Sequence, residues 1–297
     1  MHWPDRILVR EVGPRDGLQN EKKILPPEIK ISMIRQLAAA GITAIEATSF
    51  VHPRAVPQLS DAEAVLEGIG GPGAGVSVSA LVGNVRGVQR ALAMLHTPLA
   101  EIVVVVSASE AHNRANVKRT VAESLAEVRE ICRLAAGQLK VRGAVATAFG
   151  CPYQGGIGAG EVARVVEGML KEGIGEIVLA DTAGMGNPRQ VYDLLREIRE
   201  RYPGVTWGLH LHDTRGRGLA NAVAGLQAGV QVLESSVGGL GGCPFIPGAA
   251  GNIATGDLVS MLHDMGIETG IDLRRVLQCT QFMEETLGRR LPARVRL

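Results

Sequence analysis

Apolar segments and amphipathic segments alternate along this chain. The apolar segments are rich in Val, Ile, Leu, Ala and Thr and lack polar alternation, as expected for parallel strands buried on both faces. They cover residues 7–13, 44–50, 76–83, 101–109, 140–149, 176–184, 207–214 and 232–240. Between them, apolar residues recur at helical spacing, most clearly at 28–40, 120–135, 158–172, 188–201 and 218–228.

Eight strand–helix units in 297 residues predict an α/β fold, a (β/α)8 TIM barrel that forms one domain over 1–297. Gly41 and Gly229 stand where glycine ends a helix. An extra C-terminal helix and a basic tail are predicted over 272–297. A doubly wound open sheet is the main alternative, but the G-x-G-x-x-G match at 68–73 follows a helix and precedes a strand, which is the reverse of the nucleotide-binding order.

Composition excludes several classes of partner. A formal net charge of +1 and 3% aromatic residues argue against a nucleic-acid surface. No apolar run reaches the roughly 18 residues of a membrane-spanning helix, so no membrane partner is expected. The amino-terminal segment lacks a signal-peptide pattern, and the four cysteines form no C-x-x-C pair. We therefore expect a reduced, cytoplasmic protein.

The segment Trp207-Gly-Leu-His-Leu-His-Asp-Thr214 carries two histidines separated by one residue. Side chains two positions apart on a strand point to the same face, roughly 6.6 Å apart along it. His210 and His212 therefore aim two imidazoles at one point, which is a metal-binding geometry. A hydrogen-bonded polar pair is the alternative interpretation of this pattern.

Other polar residues fall near the ends of predicted strands, where a TIM barrel carries its chemistry. Arg15 and Asp16 follow the first strand, Glu46 lies in the second, Asp181 lies near the end of the sixth, and Asn252 follows the eighth. Each has a structural alternative. Asp16 could be a turn residue and Glu46 a buried partner of an arginine, while Asp181 and Asn252 could be helix caps.

Four of these residues would make a metal site with oxygen and nitrogen ligands. They are Asp16, His210, His212 and Asn252, and Asn252 would bind through a carbonyl oxygen. Because no thiolate is among them, Mg²⁺ or Mn²⁺ is favoured over a structural zinc. Arg15, beside Asp16, offers a fixed positive charge for an enolate or oxyanion.

The glycine-rich stretch 237–252 is costly to order and is expected to be a mobile active-site loop. It carries Cys243, which is set among glycines and followed by proline, so it is the best candidate for a reactive thiol. Cys132 and Cys279 fit helix cores, and Cys151 stays ambiguous. The absence of a lysine at the predicted mouth disfavours a Schiff-base aldolase.

Together these segments resemble the 3-hydroxy-3-methylglutaryl-CoA lyase family of metal-dependent (β/α)8 barrels, over nearly the whole chain. The family of isopropylmalate synthases shares the Arg-Asp and His-x-His elements but not the cysteine loop. The matching motifs are Glu-Val-Gly-Pro-Arg-Asp-Gly-Leu-Gln-Asn-Glu (11–21), Thr-Ser-Phe-Val (48–51), Val-Pro-Gln (56–58), Gly-Cys-Pro-Tyr (150–153), His-x-His-Asp-Thr (210–214) and Gly-Leu-Gly-Gly-Cys-Pro (239–244).

The resemblance implies a retro-Claisen cleavage of (S)-3-hydroxy-3-methylglutaryl-CoA to acetoacetate and acetyl-CoA. It makes the four residues above the metal ligands, with His210 as a possible proton carrier as well. Arg15 would stabilise the enolate and Cys243 would act in proton transfer, while Glu46 and Asp181 would position the network. It also implies an acyl-CoA substrate and a homodimer, and Lys22 could meet a CoA phosphate.

Some positions depart from the family pattern. The sixth strand has Val178 and Ala180 where a serine or threonine and a glycine are familiar, and Arg215 replaces a tyrosine. A missing hydroxyl near the acyl group leaves related substrates open, such as citramalyl-CoA or a branched hydroxyglutaryl-CoA. A transferase that runs a Claisen condensation and a barrel that binds acyl-CoA without turnover are further alternatives.

Overall fold

The computed structural model describes residues 3–70, 75–242 and 251–297. Within these residues, eight parallel strands form a closed barrel in sequence order, and the last strand pairs with the first. The predicted (β/α)8 TIM barrel is therefore confirmed, and the open sheet is wrong. The strands are β1 (Leu8–Glu11), β2 (Ala44–Ser49), β3 (Ser77–Leu81), β4 (Leu99–Ser107), β5 (Lys140–Ala146), β6 (Glu176–Asp181), β7 (Thr206–Leu211) and β8 (Val232–Ser235).

Helices connect the strands and follow the last one. They are α1 (Pro27–Ala39), α2 (Ala62–Ile69), α3 (Val85–Leu92), α4 (Glu110–Val117), α5 (Val121–Ala135), α6 (Ala159–Lys171), α7 (Pro188–Arg201), α8 (Gly218–Gln227), α9 (Thr255–Asp264) and α10 (Leu273–Leu287). The predicted extra C-terminal helix is α10, which Asp272 caps by accepting a hydrogen bond from the Arg275 N–H at 3.2 Å. Among the described residues, no helix has both the length and the apolar character that a bilayer span requires.

Three of the helices between strands received no bounds from the sequence pattern, for physical reasons. Helices α2 and α3 have eight residues each, too few for a clear helical period. Helix α4 buries the polar residues His112 and Asn113 instead of an apolar stripe. The strands also end earlier than predicted, because the chain turns into loops at the mouth of the barrel.

Alternation along the strands separates an apolar outer face from the barrel interior. In β4, Ile102, Val104 and Val106 join the core between the barrel and the helices. The residues of opposite parity face inward: Glu101 contacts Arg142, and Val105 lines the cavity at the mouth. The outer face therefore stabilises the fold, while the inner face is available for chemistry.

The middle of the barrel interior is filled by a buried ion network centred on Arg142. This side chain is fully buried, and its guanidinium reaches three carboxylates on three other strands. Nε donates to Glu101 Oε1 (2.9 Å), Nη1 to Glu234 Oε1 (2.6 Å) and Nη2 to Glu46 Oε2 (3.1 Å). Although burial lowers the pKa of Arg142, Glu234 and the other carboxylates raise it by more, so the guanidinium stays charged.

The network continues toward the amino-terminal end of the barrel. Arg10 Nη2 donates to Glu176 Oε1 at 2.6 Å, and Arg10 Nη1 donates to Glu234 Oε1 at 3.3 Å. Lys140 Nζ, at the start of β5, donates to Glu176 Oε2 at 2.9 Å. The interior thus carries alternating charges instead of the bulky aliphatic layers common in this fold.

Replacing Arg142 by methionine would leave three buried carboxylates without their shared cation. Breaking a buried ion pair by removing one partner costs about 3–5 kcal/mol. We expect Arg142→Met to lower the free energy of unfolding by about that amount, measured by urea denaturation. Arg129→Met is the matched control, because Arg129 pairs with Glu172 at the surface. Equal denaturation midpoints for the two variants would contradict this role of Arg142.

Candidate metal centre and catalytic site

Asp16, His210 and His212 converge at the mouth of the barrel. The two histidine Nε2 atoms lie 3.1 Å apart, and Asp16 Oδ2 lies 3.8 Å from the first and 3.9 Å from the second. All three residues are buried, and their ligand atoms lie within 4.8 Å of one another. The structure therefore brings together three of the four residues that the sequence suggested as ligands.

Local backbone geometry places each of these side chains. His210 lies in β7, and His212 follows one residue past its end, so both point to the same side as the strand period requires. Asp16 lies in a π-helical turn, Gly13–Gly17, in which the Asp16 N–H donates to Val12 O at 2.7 Å. Asp16 is thus both a turn residue and a member of the cluster.

Asn252 reaches the same cluster. Its Nδ2 donates to Asp16 Oδ2 at 2.8 Å and to Leu240 O at 3.1 Å. Its Oδ1 is buried without a hydrogen-bond partner in the described part of the chain. Helix α9 takes Ala254 as its N-cap, so the capping interpretation of Asn252 is wrong. A half-turn of the amide exchanges Nδ2 and Oδ1, and a buried acceptor without a partner suits a cation.

The electrostatics of the cluster favour a cation. Burial raises the pKa of Asp16, but Arg15 and the two histidines lower it by more, to about 2. The carboxylate is therefore ionised at neutral pH, as a ligand must be. The second ring nitrogen of His210, Nδ1, lies 3.1 Å from Glu234 Oε2. A carboxylate at this nitrogen is the arrangement that orients a metal-binding histidine.

Arg15 lies between the cluster and the interior network. Its Nη1 donates to Asp16 Oδ1 at 2.6 Å, and its Nε donates to Glu46 Oε1. Glu46 Oε2 in turn accepts from Arg142, so both of its oxygens hold arginines. Glu46 is therefore a buried partner of arginine, and it also lines the cavity beside Arg15.

Asp181 serves the loop after β6. It accepts hydrogen bonds from the N–H groups of Met185 (2.9 Å) and Gly186 (3.0 Å), and burial raises its pKa to about 6. Its neighbours Ala180 and Thr182 line the cavity, whereas Asp181 is absent from the lining formed by the described residues. It does not cap α7, whose N-cap is Asn187.

A cavity of about 470 Å³ opens beside the cluster and has two unlike walls. The polar wall holds the cluster, Arg15 and Glu46. The opposite wall, formed by β3 to β6, is mostly apolar. Its inward-facing side chains are Leu81, Val105, Ala144, Ala146 and Ala180.

Hydroxyl groups edge the apolar wall at the ends of β4 and β6. Ser107 and Thr182 both line the cavity, and both bond to Thr147. Thr182 Oγ1 accepts from the Thr147 N–H at 2.9 Å, and the Ser107 and Thr147 hydroxyls lie 2.7 Å apart. Thr147 has a φ of 57°, an unusual backbone angle for a β-branched residue that these bonds help to hold.

The remaining candidates lie outside the cluster. Cys243 falls among residues 243–250, which are outside the described part of the chain. Lys22 is exposed and does not line the cavity, but its neighbour Glu21 pairs with Arg289 of the C-terminal segment. Cys151, which the sequence left ambiguous, is fully buried.

The sequence-based reasoning missed Arg142 and Glu234, which connect the cluster to the interior. Each is a charged residue within a strand of mostly small or apolar residues, as Glu46 is. Charge inside an otherwise apolar parallel strand was the available signal. This signal did not identify the partner of either residue. Only the closed barrel shows that Arg142 Nη1 and Glu234 Oε1 lie 2.6 Å apart.

The comparison with known proteins is consistent across sequence and structure. Residues 6–283 match the model of the HMGL-like family. The hydroxymethylglutaryl-CoA lyase of Bacillus subtilis is 43% identical, covering 99% of this chain and 97% of that protein. The (R)-citramalyl-CoA lyase of Chloroflexus aurantiacus is 42% identical, covering 98% and 94%. The structure of an HMG-CoA lyase from Acinetobacter baumannii, in complex with coenzyme A and 3-methylmalate, has a TM-score of 0.93 at 42% identity, covering 99% and 95%.

Metal binding by the cluster can be measured without substrate. We expect His212→Ala to weaken Mn²⁺ binding by at least about 10-fold, because it removes one nitrogen from a shared point. Electron paramagnetic resonance of free Mn²⁺ gives the dissociation constant. His263→Ala is the control, because His263 lies in α9 and bonds to Thr269. Unchanged Mn²⁺ affinity in His212→Ala would contradict a metal site here.

Proposed function

This chain belongs to the HMGL-like family, and we propose that it is a carbon–carbon lyase that cleaves (S)-3-hydroxy-3-methylglutaryl-CoA to acetoacetate and acetyl-CoA. The observation that carries the proposal is the convergence of Asp16, His210 and His212 beside a deep cavity. The relatives support the same class, because they are named as lyases of two hydroxyacyl-CoA thioesters. An acyl-CoA substrate agrees with the coenzyme A bound to the Acinetobacter baumannii relative.

The donor set fits a divalent metal ion. We propose that Asp16, His210, His212 and Asn252 hold Mg²⁺ or Mn²⁺, because carboxylate, imidazole and amide donors without a thiolate suit these ions. The orphan Oδ1 of Asn252 supports its place in the set. A bound divalent ion would supply Lewis acidity to the tertiary hydroxyl of the substrate, which lowers the pKa of that hydroxyl.

Cleavage needs stabilisation of the negative charge that develops on the thioester. We propose His210 as the base that takes the hydroxyl proton. The C2–C3 bond then breaks, its electron pair forms the enolate of acetyl-CoA, and acetoacetate departs. Arg15 stands beside the cluster with Nε and Nη1 fixed by Glu46 and Asp16. We propose that its remaining Nη2 faces the enolate oxygen, because a pre-oriented cation needs no reorganisation during the reaction.

The enolate then takes a proton to give acetyl-CoA, and Cys243 is our candidate for this transfer. Cys243 follows Gly242 in the sequence. The Gly242 carbonyl oxygen accepts from Asn20 Nδ2 at 2.9 Å, and Asn20 lies four residues after Asp16. That contact supports a path of the chain toward the cluster. Glu46 and Asp181 would position Arg15 and the loop after β6, as their contacts indicate.

The exact acyl group depends on the apolar wall. Val178, one of the two departures from the family pattern, is fully buried and packs on Gly208, so its missing hydroxyl does not face the described cavity. Ala180 does line it. The Chloroflexus relative acts on citramalyl-CoA by its name and is as similar as the other relatives, so that thioester is the second candidate substrate.

Further parts of the sequence-based prediction remain proposals. Lys22, with Arg289 or Arg290 of the basic tail, would meet the phosphates of CoA at the mouth of the barrel. A homodimer rests on the resemblance alone, and a cytoplasmic location rests on the scattered cysteines of the sequence. A condensing transferase is disfavoured because the Gly-Leu-Gly-Gly-Cys-Pro loop (239–244) is absent from those enzymes in the resemblance above.

Acetyl-CoA release by the purified protein with Mg²⁺ or Mn²⁺ tests the function. We expect 3-hydroxy-3-methylglutaryl-CoA to be cleaved faster than citramalyl-CoA. The reason is that Val178, which departs from the family pattern, is buried and does not alter the lining of the cavity. His210→Ala is the blank and should lose activity by at least about 100-fold. Faster cleavage of citramalyl-CoA would reassign the substrate, and condensation of acetyl-CoA with a 2-oxo acid would reassign the reaction.

The role of the thiol has a separate test. We expect Cys243→Ser to keep Mn²⁺ affinity but to lose turnover by about 100-fold or more, because a serine hydroxyl is a poor acid near neutral pH. Cys132→Ser is the control, since Cys132 lies in α5 on the outside of the barrel. Normal turnover in Cys243→Ser would remove the thiol from the mechanism.

A further inference from the structure

Glu11 is a fully buried carboxylate that belongs to neither the metal cluster nor the interior ion network. It is the last residue of β1, and its neighbour Arg10 faces the barrel interior. Strand alternation therefore directs Glu11 outward, between the barrel and its surrounding layer. Three hydrogen-bond donors from separate stretches of chain meet its two oxygens.

The first two donors are backbone N–H groups of the turns that follow β1 and β8. The N–H groups of Gly13 and Val237 both donate to Glu11 Oε1 at 2.8 Å. Gly13 begins the turn that carries Asp16. Val237 begins the turn that leads to Leu240, whose carbonyl oxygen accepts from the Asn252 side chain.

The third donor is the hydroxyl of Thr255, at the start of α9. Thr255 Oγ1 donates to Glu11 Oε2 at 2.7 Å and lies 2.9 Å from the Ser235 hydroxyl at the end of β8. Thr255 follows Asn252 by three residues. One carboxylate therefore ties together the segments that carry Asp16 and Asn252 and the segment that leads to Cys243.

These segments are in direct contact at the same place. A Cβ on Gly13 would clash with Glu11 Oε1 and stand 3.0 Å from Ser236 Oγ, and one on Gly17 would stand 2.7 Å from Ser236 Oγ and 2.8 Å from Leu240 Cβ. The turn after β1 packs closely on Ser236 and Leu240, so a shift of either turn moves Asp16 relative to Asn252. The N–H groups of both turns also share the Glu11 carboxylate as acceptor.

The chemistry of Glu11 argues for a specific role. Burial raises its pKa to about 7, even though the hydrogen bonds from Thr255, Val237 and Gly13 lower it. A buried carboxylate is costly, and an apolar side chain would fill the same space at lower cost. An apolar side chain would also leave two backbone N–H groups without acceptors, which would release both turns.

We propose that Glu11 is a positioning residue that sets the spacing of Asp16 and Asn252. The proposal rests on the metal centre of the proposed function. It does not depend on which acyl-CoA is cleaved.

Two variants of Glu11 separate positioning from bulk stability. Glu11→Gln keeps an acceptor oxygen for both N–H groups, and its amide can donate to Thr255. Glu11→Ala removes the junction. We expect Glu11→Ala to raise the Mn²⁺ dissociation constant by about 10-fold or more and to lower kcat by a larger factor than it raises KM. Glu11→Gln should restore both within about 3-fold.

Thr255→Val keeps the test valid if Glu11→Ala does not fold. It removes one donor with little change in volume, and we expect a smaller but measurable loss of Mn²⁺ affinity, about 3-fold or more. Glu123→Ala is the control, because Glu123 is exposed, does not line the cavity, and caps α5 by accepting from the Thr120 N–H at 2.7 Å. Circular dichroism reports whether each variant is folded at the assay temperature.

The outcomes distinguish this proposal from the proposed function. Folded Glu11→Ala and Thr255→Val proteins with wild-type Mn²⁺ affinity and kcat would overturn it, even if their melting temperatures fall. Glu11→Gln as impaired as Glu11→Ala would also overturn it, because geometry would not be what matters. A wild-type protein that binds Mn²⁺ but cleaves no hydroxyacyl-CoA would refute the function while leaving the metal-affinity test intact.

Discussion

The rest of the site depends on the ion pairs that the buried guanidinium of Arg142 makes with three carboxylates. It holds Glu46, Glu101 and Glu234 inside the closed barrel, each from a different strand. None of these charges could be buried alone, because each ion would lose its hydration without compensation. The barrel can therefore close only if these ions pair. Pairing with Arg142 through one oxygen in turn fixes the direction of the second oxygen of each carboxylate.

Two of those oxygens define the catalytic wall. Glu46 directs one oxygen at Arg15, and Glu234 directs one at His210. Arg15 and His210 are thus oriented by the interior network before any substrate or metal ion binds. The opposite wall contributes apolar surface and a few hydroxyls, so charged groups line one side of the cavity and apolar side chains line the other.

The mouth of the barrel follows a different principle. Its residues come from turns, and turns have no sheet to hold them in register. Asp16 and Asn252 are held together instead by packing between the turns after β1 and β8 and by the carboxylate of Glu11 beneath them. A rigid barrel below and hydrogen-bonded turns above give a site that is ordered where ligands converge.

Much of this molecule could be predicted from local patterns. The spacing of apolar residues determined the alternation of strands and helices, and hence the barrel. This is because the residues that form one buried face of a strand or helix lie close together in the sequence. The His-x-His spacing determined that two imidazoles share a face. Short helices such as α3 and α4 received no bounds, since about two turns of helix carry little periodic signal.

Only the tertiary structure decided which distant residues meet. The sequence alone indicated that Glu46 pairs with an arginine or takes part in chemistry, and the closed barrel placed it between Arg15 and Arg142. The sequence left the Asn252 side chain as a helix cap or a site residue, and the structure places it against Asp16, 236 positions away, and not at the cap of α9. Such pairings depend on strand register and barrel closure, which no local window of the sequence contains.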